Sequence, residues 1–138
     1  MLADLPFQSL TELARRLDAR ETTSVAIVEA CLANIDAQDA KLHAFVEVWH
    51  DDALRLARAA DLEREADCVR GRLHGLPIAI KDLFHLKGRP TTAGSKSWHG
   101  RVSTGTAVCV ERLIAAGMIP LGKTHMVEFA YGTWGTNR

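Results

Sequence analysis

The chain has 138 residues, and its seventeen basic residues balance its seventeen acidic ones. This is the length of one domain, and the zero net charge excludes a general electrostatic attraction to nucleic acid or to an anionic membrane. With 47% hydrophobic and 25% charged residues, and no apolar run long enough to cross a bilayer, the composition predicts a folded protein without a membrane segment.

The N-terminal part is predicted to be helical. Ser9-Leu10-Thr11-Glu12 has the form of a capping box and precedes a short amphipathic helix. Thr22 or Thr23 is placed to cap a second, longer helix, which should pack on the core through one apolar stripe. That stripe consists of Val25, Val28, Cys31, Leu32 and Ile35.

A strand and a third helix should follow. Residues 44–49 are aromatic and β-branched enough to form a strand. Asp51 or Asp52 can then cap a helix that should fade by Gly71. Residues 1–70 are therefore expected to form helices packed on one strand, and nothing in them has the pattern of a catalytic site.

The second half has the order of a crossover in an α/β sheet. Residues 75–80 are short, apolar and rich in isoleucine, which is typical of a buried strand. A loop rich in Gly, Thr and Ser leads to a helix that should begin at Thr104 or Thr106 and stop at Gly117. Residues 118–121 predict another strand, whose proline should limit its hydrogen bonding to one side.

Lys81 ends the first of these two strands and is the candidate catalytic residue. A lysine held at the rim of an apolar strand is partly desolvated, which disfavours the ammonium form and makes the amine a base near neutral pH. A lysine just past a strand is also commonly an ordinary solvated residue, and both interpretations stay open. Asp82 need not contact the Lys81 amine, because adjacent residues of a strand point to opposite faces.

Three blocks of sequence together carry a family resemblance. Gly75 to Lys81, Thr91 to Ser95, and Gly122 to Ala130 occur in one order and at one spacing, and together they resemble the N-terminal part of the amidase signature family. The resemblance implies an α/β fold with a mixed central sheet flanked by helices. It also implies a single partial domain, truncated before the sheet is complete, in which residues 71–138 begin the α/β core after the mainly helical residues 1–70.

The resemblance also implies a site. Lys81 matches the base of a Ser, cis-Ser, Lys triad, whose two serines belong to a Gly/Ser-rich segment expected beyond Arg138. Asp82 matches an aspartate that supports the backbone near the site. Phe129 lies in a segment that runs near the active site and is a candidate for lining the acyl pocket, although a buried core aromatic is the commoner role. The 138-residue chain alone is expected to be inactive.

Three functional interpretations remain open at this stage. The first is an amidase that acts on a small-molecule amide, and the second is the similar A subunit of a glutamine-hydrolysing tRNA amidotransferase, which would have partner subunits. The third is a noncatalytic remnant or interaction module. The chain halts in what looks like an open loop over residues 132–138, which favours truncation.

Gly117 to Thr124 fits the phosphate-loop expression G-x-x-x-x-G-K-[ST] letter for letter. A phosphate loop needs a strand before it and a helix after it, whereas here a helix comes first and the variable positions are apolar. We therefore expect a structural strand and no nucleotide binding, with Lys123 dispensable for activity.

No metal or cofactor is expected. The six histidines lack any close ligand spacing such as H-E-x-x-H. The three cysteines, at positions 31, 68 and 109, are odd in number and far apart, which favours reduced thiols and a cytoplasmic location over disulfides or a zinc site.

Overall fold

The computed structural model describes residues 4–132, so the predicted open loop lies outside the described residues from position 133 onward. After one 3-10 turn, helices α1 (Leu10–Asp18) and α2 (Ser24–Leu42) follow. The Ser9 hydroxyl accepts a hydrogen bond from the Glu12 N–H at 3.2 Å, and the Thr23 hydroxyl accepts one from the Ala26 N–H at 3.0 Å. Both caps are thus confirmed, with Thr23 rather than its neighbour at the start of α2.

The third helix differs from its prediction at its start. Strand β1 (Phe45–Val48) leads directly into α3 (His50–Glu65), with Trp49 at the capping position. The prediction that Asp51 or Asp52 caps α3 is wrong. Both lie in its first turn, where a carboxylate still interacts favourably with the positive end of the helix dipole. The helix ends before Gly71 because the chain turns into a left-handed conformation at Asp67, with φ of 56°.

The sheet has three strands within the described residues. Strands β2 (Pro77–Lys81) and β3 (Ile119–Thr124) are parallel and joined by helix α4 (Val108–Ala115), which confirms the predicted crossover. Strand β1 pairs antiparallel with the other side of β3, so the order is β1-β3-β2 and the sheet is mixed. Helix α4 starts later than predicted, because the Thr106 hydroxyl accepts a hydrogen bond from the Lys87 N–H at 3.0 Å instead of capping the helix.

Strand β3 is longer than predicted and central. Its pairing with β1 covers Gly122 to Thr124, so Pro120 lies where only β2 is a ladder partner, as the missing N–H requires. A Cβ on Gly122 would stand 2.2 Å from the Glu47 carbonyl oxygen. Glycine at this position lets β1 approach closely enough to pair with β3.

The helices and the sheet share their apolar core. One cluster joins Val28 and Leu32 of α2 to alanines of α3 and to Ile119 and Leu121 of β3. The predicted stripe of α2 is confirmed, since Val25, Cys31 and Ile35 pack against this cluster. No helix in residues 4–132 is both long enough and apolar enough to cross a bilayer.

Candidate functional site

The site lies at the carboxyl ends of β2 and β3. Parallel strands bring these ends to one edge of a sheet, where ligands bind in α/β proteins. Lys81 is the last residue of β2, and its side chain is exposed, so the partial desolvation predicted for it is not found within residues 4–132. Among the described residues, no hydrogen bond or ion pair is formed by its amine.

Asp82 follows Lys81 but is buried, and its carboxylate is fully engaged. The Asp82 N–H donates to the Thr124 carbonyl oxygen at 3.1 Å, which continues the β2–β3 ladder by one residue. The carboxylate accepts hydrogen bonds from both the backbone N–H and the hydroxyl of Thr92. Lys81 and Asp82 therefore point to different environments, as strand geometry predicts.

Lys123 is a buried charged residue, with 1% of its surface exposed. Its amine donates to an Asp82 carboxylate oxygen at 3.3 Å, to the Phe84 carbonyl oxygen at 2.6 Å and to the Thr91 hydroxyl at 3.0 Å. Burial lowers the pKa of Lys123, although the charges of Asp82 and Glu47 oppose that shift. Three acceptors match the three N–H bonds of an ammonium, so this nitrogen has no lone pair free to act as a base.

The hydrogen bonds of Lys123 extend into the long loop between β2 and α4. The Thr91 hydroxyl lies 2.9 Å from the Ser103 hydroxyl, which in turn lies 3.0 Å from His85 Nδ1. Both serine and threonine are buried, so their hydroxyls are satisfied inside the protein. We call the set Asp82, Thr91, Thr92, Ser103 and Lys123 the buried polar cluster.

Sequence reasoning missed this role of Lys123. The residue was assigned no chemistry because it sits in an apolar strand and completes an accidental motif. One signal was present: a lysine inside a buried strand needs a counter-ion, and Asp82 comes directly after Lys81 at the end of the neighbouring predicted strand.

Phe129 lies on a turn that is tied to the end of β2 by backbone hydrogen bonds. The Phe129 N–H donates to the Ala93 carbonyl oxygen at 2.7 Å, and the Ala93 N–H donates to the Asp82 carbonyl oxygen at 3.1 Å. The Phe129 ring is 49% exposed and meets the Trp98 ring edge-on, with centroids 5.3 Å apart. It is thus no core residue, and its assignment to an acyl pocket stays a prediction.

The backbone near this turn is strained. Ala93, Phe129 and Ala130 all have left-handed φ angles, of 52°, 52° and 57°. Non-glycine residues rarely adopt such angles, and where they do the surrounding structure must hold them in place. Here the hydrogen bonds from Asp82 through Ala93 to Phe129 hold them.

The phosphate-loop expression is explained by the fold. Gly117 has φ of 91° just after α4, as predicted for a helix-ending glycine, and a Cβ there would stand 2.9 Å from the His74 Cα. Gly122 admits β1, and Lys123 is bound to Asp82. Three of the four fixed letters of the motif therefore have a structural reason. Within residues 4–132, no three His, Cys, Asp or Glu side chains are grouped so as to hold a metal ion.

Comparisons with known proteins agree on one family. The family model described as Amidase matches residues 26–138. The chain is 42% identical over 132 residues to the A subunit of the glutamyl-tRNA(Gln) amidotransferase of Streptomyces coelicolor, over 96% of this chain and 27% of that protein.

Solved structures give the same result for the fold. The peptide amidase of Stenotrophomonas maltophilia matches with a TM-score of 0.82 and 35% identity, over 88% of this chain and 25% of the amidase. A fatty acid amide hydrolase matches with a TM-score of 0.83 and 25% identity, over 89% of this chain and 22% of the hydrolase. The chain spans about a quarter of the length of these relatives. The predicted family resemblance and mixed α/β fold are confirmed.

Proposed function

The chain belongs to the amidase family, and from that premise we propose that the complete protein hydrolyses the C–N bond of a small-molecule amide, with Lys81 as its base. The observation that carries this proposal is the contrast between the two lysines at the ends of β2 and β3. The Lys123 amine is buried on three acceptors, whereas the Lys81 amine is exposed and unpaired among the described residues. An amine with no acceptor bound to it can lose its proton once the rest of the domain covers and desolvates it, and the neutral amine can then act as a base.

In the proposed reaction, neutral Lys81 takes a proton from a bridging serine, which takes one from the nucleophilic serine as that oxygen attacks the amide carbonyl. The proton returns to the leaving amine as the C–N bond breaks, and water then cleaves the acyl-enzyme. The serines and the oxyanion donors belong to sequence beyond Arg138 in this proposal. The chain of 138 residues, as part of one larger domain, then has no activity alone.

We also propose that Phe129 lines the acyl pocket. Two backbone hydrogen bonds connect its turn with Asp82, which supports a location beside Lys81. Its ring is half-exposed, which leaves an apolar surface for a substrate to cover.

A second candidate function is that of the A subunit in a tRNA amidotransferase, with partner subunits. The relatives from Streptomyces coelicolor and Anaeromyxobacter dehalogenans carry that name and are 42% and 44% identical to this chain. Ammonia release from glutamine, measured against hydrolysis of simple amides, separates the two candidates. For either one we propose a cytoplasmic location, which the three free thiols support.

The test uses the complete protein with Lys81→Ala and Lys81→Arg. Both variants should lose amide hydrolysis, because alanine has no amine and a guanidinium stays protonated. Lys41→Arg, at an exposed position near the end of α2, is the matched control and should retain activity. A kcat near that of the wild type in either Lys81 variant would contradict the base assignment. A wild-type protein that neither hydrolyses amides nor reacts with a serine-directed fluorophosphonate would favour the noncatalytic interpretation.

A further inference from the structure

We propose that Lys123 is a positioning residue for Lys81. It holds the Asp82 carboxylate inside the buried polar cluster and fixes the backbone from which Lys81 projects. Its ammonium also compensates the charge of that carboxylate, which lies one residue from Lys81. The inference rests on the proposed function of Lys81. It assigns to Lys123 the opposite of the dispensability expected from sequence.

The strand register separates the two lysines. Lys123 pairs with Ile80 across the β2–β3 ladder, whereas Lys81 pairs with Thr124. Paired residues of neighbouring strands share a face, and successive residues alternate, so Lys123 lies on the face of Ile80 and Lys81 on the other. Ile80 is part of an apolar cluster with Trp49 and Val110, which buries that face.

Charge explains why the pairing matters. Asp82 is buried one position after Lys81, and Lys123 is its ion-pair partner at 3.3 Å. Without the Lys123 ammonium, the Asp82 carboxylate would be a buried anion without compensation. Even from the opposite face of the strand, the charge of that anion would favour the ammonium form of the neighbouring Lys81, and an amine held as an ammonium is no base.

Other titratable groups near the cluster do not supply that compensation. Glu47 of β1 is the second acidic group that acts on Lys123, and it adds negative charge. Arg89 is already engaged, within 3.6 Å of Glu47 and paired with Asp52. His85 reaches the cluster only through the Ser103 hydroxyl.

The same cluster holds the strained backbone. The Asp82 carbonyl oxygen accepts from Ala93, and Ala93 accepts from Phe129, both in left-handed conformations. Lys123 therefore supports the Lys81 end of β2 and the Phe129 turn together. Loss of Lys123 should therefore lower kcat by more than any loss of folded protein would explain.

The experiment compares Lys123→Met, Lys123→Met/Asp82→Asn and the control Lys41→Met in the complete protein. Lys123→Met should lower kcat by about tenfold or more and move the acid side of the pH–rate profile to higher pH. The double variant removes both charges and should recover most of the kcat and the original pH profile. Lys41→Met should behave as the wild type.

A second measurement does not need activity. Reductive methylation of lysine amines over a range of pH, read by mass spectrometry, should label Lys81 and spare Lys123 in the wild type. In Lys123→Met, labelling of Lys81 should need higher pH, and the double variant should restore it. This response in a wild-type protein without amidase activity would refute the proposed function but keep the positioning role.

Active Lys123→Met enzyme with unchanged pH profile and unchanged Lys81 labelling would overturn the proposal, as would rapid labelling of Lys123 in the folded wild type. If Lys123→Met does not fold, Asp82→Asn alone serves in its place. Asp82→Asn should lower kcat without moving the pH–rate profile to higher pH, because no Asp82 carboxylate is left to favour the ammonium form of Lys81. Wild-type kcat in Asp82→Asn would then also overturn it.

Discussion

Replacing Gly122 with alanine tests the close approach of β1 to β3. The added Cβ would stand 2.2 Å from the Glu47 carbonyl oxygen and 3.0 Å from the Val48 Cα. A carbon and a carbonyl oxygen in contact are normally at least about 3.3 Å apart, so β1 has to retreat by about 1 Å. The obstacle is backbone on both sides, and no side chain can swing away to relieve it.

The destabilisation expected from Gly122→Ala has two parts. Forcing a methyl group into close-packed structure costs roughly 1–3 kcal/mol. Retreat of β1 also lengthens ladder hydrogen bonds such as the 2.8 Å bond from the Trp49 N–H to the Leu121 carbonyl oxygen, at about 1 kcal/mol for each bond that is lost. We expect Gly122→Ala to lower the free energy of unfolding of the complete protein by about 2–4 kcal/mol, the sum of these terms.

Urea unfolding followed by tryptophan fluorescence measures this change, and Trp49, which follows β1, is one of the three tryptophans that contribute to the signal. Gly105→Ala is the matched control, because a Cβ at that position meets no atom within 4 Å. It should leave the free energy of unfolding within about 0.5 kcal/mol of the wild type. Equal stability of the two variants would refute the close-approach argument.

Three further predictions concern the helices. Asp61→Ala should destabilise the protein by about 1–2 kcal/mol in the same unfolding assay, because the Asp61 carboxylate accepts from the first two N–H groups of α2 at 2.7 and 3.0 Å. Burial raises the pKa of Cys31, so iodoacetamide should alkylate it more slowly at pH 8 than the exposed Cys68, and equal rates would contradict its burial. Hydrogen bonds from Arg15 lower the pKa of Glu12 to about 2, so an NMR titration should show the Glu12 carboxylate still ionised in mild acid. The stabilising effect of this carboxylate should be lost only as the pH falls toward that value. Arg15→Gln should raise the pKa of Glu12 in the same titration.

Features that depend on neighbouring residues, such as helix caps, were predicted well from the sequence. Features that depend on contacts between distant elements were not. Ser9 and Thr23 were identified as caps because a cap depends on the few residues that follow it. The start of α3 was misplaced because Asp51 and Asp52 are as favourable in a first turn as at a cap, and the β1 strand running into Trp49 decided between them. The pattern of apolar residues along α3 does not show where β1 ends, so it could not predict the start of the helix.

The candidate site shows the same division. Lys81 can be proposed from sequence because it ends a short apolar strand that lies within one contiguous block, and its role as a base stays a prediction. The partner of Lys123 is 41 residues away, and the contact exists only in the observed register of two parallel strands. Strand register depends on which faces are buried, and the pattern of a short apolar strand does not specify it.

The position of β3 in the sheet has a consequence for synthesis on the ribosome. Among residues 4–132 it is the third strand in the chain but the middle strand of the sheet, so within these residues β1 and β2 have no ladder partner until residues 119–124 have emerged. The paired helices α2 and α3 precede it and can dock on each other first, because their contacts are close in sequence. The buried polar cluster then forms at the same time as the sheet, because Lys123 lies on β3, the strand that pairs with both β1 and β2.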